Sequence, residues 1–78
     1  MKHELKIEKN YLLRLLSGEK KAEIRCNDRD YQLGDILEYD NMDVDVEDNL
    51  YYQFKITHIH SGLGMDKGYV CLSVERIY

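Results

Sequence analysis

The sequence predicts an α+β domain that is mainly β: a small, highly curved sheet closing into a barrel, with one brief helix. Three observations carry this. Apolar and polar side chains alternate with a period of two in several short stretches, at 3–7, 22–26, 51–59 and 69–78. Only YLLRLLS, residues 11–17, carries leucines at helical spacing. The 78 residues leave room for one core, so 1–78 is read as a single domain.

In chain order, His3 to Ile7 is a first strand with Leu5 and Ile7 on one face and Glu4 and Lys6 on the other. Asn10 is placed to cap a helix of about two turns, with Leu12, Leu13, Leu15 and Leu16 on one side and Gly18 ending it in a left-handed conformation. Such a short helix persists only by packing its leucines on a sheet. In the second strand Ala22, Ile24 and Cys26 are expected to face the core, with Glu23 and Arg25 pointing away together. Asn27 to Asp30 is turn chemistry, and Leu33-Gly34-Asp35 is a tight turn into a third strand, Ile36 to Tyr39. Asp40 to Asn49 has too little apolar content for a core position and is expected to be a loop. Tyr51 to Ile59 is a fourth strand, with Tyr52, Phe54, Ile56 and His58 on one face. A glycine-rich loop, Ser61 to Gly68, leads to the last strand, Tyr69 to Tyr78, with Val70, Leu72 and Val74 inward.

Composition excludes several classes. The 44% apolar content is that of a folded domain, and no apolar run approaches the roughly 20 residues a membrane span needs. The charged start MKHELKIEKN is no signal peptide, so a cytoplasmic protein with reduced, buried or half-buried Cys26 and Cys71 is expected, without a membrane partner. The net charge of −4 argues against indiscriminate nucleic-acid binding, but its distribution is uneven. Residues 1–34 carry eight basic and six acidic side chains, whereas residues 35–49 carry seven acidic ones and no basic one. That acidic segment, 40–48, is a solubilising loop or a lure for basic protein partners.

Lys20, Lys21, Glu23 and Arg25 form the densest chemistry. Two readings stand: an exposed cross-strand ion pair, or a cleft in which Lys20 and Arg25 hold a phosphate or carbonyl and Glu23 accepts from an amino group. Arg29, in the turn with Asp28, extends the same basic edge. His58 and His60 share a strand face, but with His3 they fix no third metal ligand, and neither metal nor cofactor is expected. Tyr51, Tyr52, Tyr69 and Tyr78 serve as core and rim or as a base-stacking face. The glycine loop has neither Walker nor Rossmann spacing.

The pattern G-x-K-x-x-E-x-R with a following Gly-Asp turn, in GEKKAEIRCNDRDYQLGD (18–35), resembles the signature of ASCH domains, of the PUA-like superfamily. With HELKI at His3 to Ile7 and GLGMDKGYVCL at Gly62 to Leu72, nearly the whole chain is similar to a short bacterial and phage branch of that family. The resemblance implies a PUA-like pseudo-barrel of five to six strands with one short capping helix. It implies RNA or a nucleotide in a cleft between helix and barrel, by analogy of fold class. Lys20, Glu23 and Arg25 map onto the cleft, with His3, Lys6, Asp28, Arg29 and Tyr69 as further ligand-binding candidates. An enzymatic branch that hydrolyses acylated cytidine uses the signature lysine, here Lys20, and a threonine whose position is Glu23 here. Lys20 as nucleophile and Glu23 as base are the residues an amidohydrolase would use, but the set is incomplete, so a binding module is expected rather than an enzyme.

Overall fold

In the computed structural model, which describes residues 1–40 and 51–77, one curled sheet of five strands forms a half-barrel with a single short helix. The elements are β1 (Lys2–Leu5), α1 (Lys9–Ser17), β2 (Ala22–Cys26), β3 (Ile36–Asp40), β4 (Tyr51–His60) and β5 (Tyr69–Arg76). The acidic run expected as a loop falls mainly on 41–50, and Tyr78 closes the chain; both lie outside the described residues. Strand order is β1-β3-β4-β5-β2, with β1 parallel to β3 and every other pair antiparallel. The α+β, mainly β pseudo-barrel with one helix is therefore the architecture.

The core forms where the inner faces of the strands meet α1: Leu5, Leu37, Tyr39, Phe54, Ile56, Val70 and Leu72 pack with Leu12 and Leu15. Burying each such side chain contributes about 1.5–3 kcal/mol, which is what holds so short a helix. Leu16 packs partly and Leu13 stays exposed, so the buried helical stripe is narrower than four leucines. Gly18 ends the helix at φ 87°, donating its N–H to the Leu15 carbonyl. The helix start differs from expectation. Glu8, extended at φ −66°, holds the cap position without a side-chain bond, and Asn10 lies inside the first turn.

Two further expectations are corrected. In β2, Glu23 is buried while Ile24 is 63% exposed and Cys26 exposed, so the strand presents its charged face inward. In β4 a register shift between Ile56 and His58 leaves Thr57 as an extra residue opposite β5. Alternation restarts one residue later, so Ile59 turns inward and His58 outward, off the face of Tyr52, Phe54 and Ile56.

Among the described residues the sheet does not close on itself. Near its edges, β1 and β2, two arginines reach across: Arg25 Nη1 of β2 donates to the carbonyl of Lys6, just past β1, at 3.4 Å, and Arg29 Nη1, past the end of β2, donates to the Glu4 carbonyl of β1 at 3.1 Å.

Candidate functional site

The inverted strand β2 builds the polar interior. Glu23 would be costly to bury alone. Three partners offset that cost: the Tyr39 hydroxyl of β3 donates at 3.1 Å, and the cations of Lys20, before β2, and Arg25, on β2 itself, stand at 3.5 and 3.6 Å. Burial, then the Glu23 charge beside it, hold the Tyr39 phenol well above its ordinary range, so it stays protonated and donates. Lys20 is held on its other side by the face of Tyr11, 5.4 Å from the ring centroid. Arg25 Nη1 donates to the Lys6 carbonyl, and its charge acts on the nearby Tyr31 hydroxyl. Burial raises the Tyr31 pKa, against the lowering pull of Arg25 and Arg29.

Tyr31 leads to a second cluster. Its ring meets that of His3 edge-on, with centroids 4.8 Å apart, and His3 Nε2 lies 2.8 Å from Asp35 Oδ2. That hydrogen bond is the chief cause holding the Asp35 carboxyl below the usual range, so the carboxylate accepts and Nε2 donates. Asp35 also accepts from the Gln32 N–H at 3.0 Å and the Met1 amino group at 3.1 Å. Gly34, at φ 86°, allows the turn that aims this carboxylate inward.

A cleft of about 350 Å³ lies between the end of α1 and the sheet. Leu15, Leu16, Phe54 and Val74 give it apolar walls, and Lys20, Lys21 and Arg76 bring three cations against the one carboxylate of Glu75. Arg76 Nη1 donates to the Leu16 carbonyl at 3.4 Å, covering part of the negative end of the helix. Lys20 belongs to both places: it lines the cleft and reaches Glu23.

Residues 2–74 match a family described as a domain of unknown function, DUF3850. The chain belongs to the DUF3850 family. No curated protein matches it.

Within this DUF3850 domain, Lys20, Glu23 and Arg25 do come together, at 3.5 and 3.6 Å. Of the three, Lys20 alone is among the residues lining the cleft; the Glu23 side chain is buried and that of Arg25 is a quarter exposed. His3 joins through Tyr31, while Lys6 contributes its backbone carbonyl rather than its ammonium. Arg29 is exposed past the end of β2, and Asp28 is exposed in the turn. Tyr69 is 44% exposed and pairs with Cys26 on the outer face of the sheet, away from the interior group. His58 and His60 are exposed, and among the described residues no group of three His, Cys, Asp or Glu converges to hold a metal. Nor is any helix there long and apolar enough to cross a membrane. Lys20 is a quarter exposed and ion-paired, unlike a lysine freed for attack by burial without a counter-charge.

Sequence reasoning missed Tyr39, Tyr31 and Arg76. Arg76 sits at the far end of the chain from Lys20, and only the pairing of β5 with β2 makes them neighbours. Tyr31 was visible inside the NDRDY run but carried no separate signal.

Proposed function

We propose that this DUF3850 domain is a small RNA- or nucleotide-binding module of the ASCH/PUA-like type, taking its ligand in the cleft beside α1. The observation that carries the reading is the composition of that cleft, apolar walls with three cations and one carboxylate among its lining residues, in a chain whose net charge is −4. An apolar slot with convergent polar groups is the usual form of a ligand site, and about 350 Å³ is near the lower end of the ~300–1,000 Å³ such sites span. A single nucleotide suits it better than a duplex. Lys20, with Lys21 and Arg76, meets phosphate, and Glu23 and Arg25 answer a base edge reaching past Lys20.

The test is a titration of nucleoside monophosphates and short single-stranded RNA at low salt, with Lys20→Ala and Arg25→Ala beside the unmodified chain. Each variant is expected to weaken binding by about tenfold or more while its circular dichroism is retained. Affinity should fall as salt rises. No binding to any of these ligands at low salt overturns the reading.

A further inference from the structure

Two of the cations that line the cleft rest against tyrosine rings. Lys20 Nζ sits 5.4 Å from the centre of the Tyr11 ring, and the Arg76 guanidinium 5.9 Å from that of Tyr52. The two rings differ in what they leave open. Tyr52 is 6% exposed and belongs to the core, whereas Tyr11 is 48% exposed. Tyr11 stands in the first turn of α1, four residues before Leu15, which is buried and lines the cleft. Residues four apart on a helix are neighbours on one face. The open ring therefore adjoins two residues of the cleft lining, Leu15 and Lys20.

We infer that Tyr11 is the stacking platform for the base of the bound ligand, so that the site takes an unpaired purine nucleotide with its phosphate at Lys20. The inference rests on the nucleotide reading of the cleft. One sugar joins phosphate to base, so a nucleotide held by Lys20 brings its base to the ring beside that lysine. A phosphate also draws the ammonium toward itself in a charge-assisted bond, which uncovers the ring face that Lys20 overlies in the free chain.

Every base has a π face, and stacking one on an aromatic side chain is worth about 5- to 150-fold in affinity. A base inside a duplex has its faces covered by its neighbours, so the ligand is a free nucleotide or a base splayed out of a single strand. Purines offer the larger ring and stack more strongly than pyrimidines, which sets the order of preference. No other described tyrosine is placed to do this. Tyr31, Tyr39 and Tyr52 are buried, and Tyr69 lies on the outer face of the sheet opposite Cys26.

The competing role for Tyr11 is to steady Lys20, and a ligand without a base separates the two. Adenosine monophosphate, uridine monophosphate and ribose phosphate are titrated at low salt into the full chain and into Tyr11→Ala, Tyr11→Leu and Tyr11→Phe. The unmodified chain should bind adenosine monophosphate about fivefold or more tighter than ribose phosphate, with uridine monophosphate between them. Tyr11→Ala and Tyr11→Leu should lose that advantage without weakening ribose phosphate, and Tyr11→Phe should keep it. Adenine protons should shift upfield under the ring current of Tyr11, and less so in Tyr11→Leu. Retained amide spectra separate lost stacking from lost folding, and leucine keeps an apolar cover over Lys20 if alanine does not fold. The inference is overturned if ribose phosphate binds the unmodified chain as tightly as adenosine monophosphate, or if uridine monophosphate binds more tightly than both. It is also overturned if Tyr11→Leu and Tyr11→Phe bind adenosine monophosphate alike, or if the Tyr11 variants weaken both ligands equally. Loss of binding in Lys20→Ala but not in Tyr11→Leu refutes the platform and leaves the cleft standing. An unmodified chain that binds none of these ligands ends both.

Discussion

The Asp35 carboxylate accepts from His3, Gln32 and Met1, and so ties β1 to the turn before β3. Chiefly through the His3 bond, its carboxyl sits below the ordinary value of 3.8, against the opposing effect of burial. As pH falls, the unfolded chain takes up this proton first. The carboxylate therefore stabilises the fold fully above the ordinary value, and the contribution is lost as pH drops through the folded one. Acid unfolding followed by circular dichroism below about pH 4 should be steeper in the unmodified chain than in Asp35→Asn. At neutral pH that substitution should cost about 2–4 kcal/mol in urea titrations, because it leaves buried donors facing a poorer acceptor. Tyr39→Phe removes one donor from Glu23 and should cost about 1–2 kcal/mol by the same measurement.

At the scale of one element, β2 separates what alternation can tell from what it cannot. The AEIRC period was legible and the strand is there, but alternation does not say which face is inside. The apolar-in rule chose Ala22, Ile24 and Cys26. The fold chose Glu23 and Arg25, because the Tyr39 hydroxyl, Lys20 and the Lys6 carbonyl give those charges partners, and all three come from other elements. Ile24→Thr should accordingly change stability by less than about 0.5 kcal/mol, whereas Glu23→Ala should cost about 3 kcal/mol or more by stranding Tyr39 and two cations. A pair of chemical denaturation curves decides it, and the reverse order would restore the apolar-in register. The β4 bulge was missed although YYQFKITHIH carries its trace: apolar residues fall at 52, 54 and 56 and then at 59, a break that becomes an extra Thr57 only relative to β5. By contrast, the last strand was read correctly because Val70, Leu72 and Val74 have no polar rival for the core.

Across the whole molecule, the class and the order of elements were legible, while the neighbours of each strand were not. β5 pairs with both β4 and β2, so it fastens the middle of the chain to its first third. Removing Tyr69 onward is expected to abolish the fold outright rather than fray it, giving a collapsed amide spectrum by nuclear magnetic resonance. Such distant pairing also places folding toward the slow end, milliseconds to seconds, for a domain this small. The same wiring has a consequence during synthesis. Ala22 is made long before Ser73, its partner. With elongation at about 5–20 residues per second, β2 leaves the ribosome on the order of seconds before anything can pair with it. In that interval Ile24 is a bare apolar side chain on an unclaimed strand, and the nascent chain depends on its charged neighbours, Glu23 and Arg25, to keep it from sticking to others.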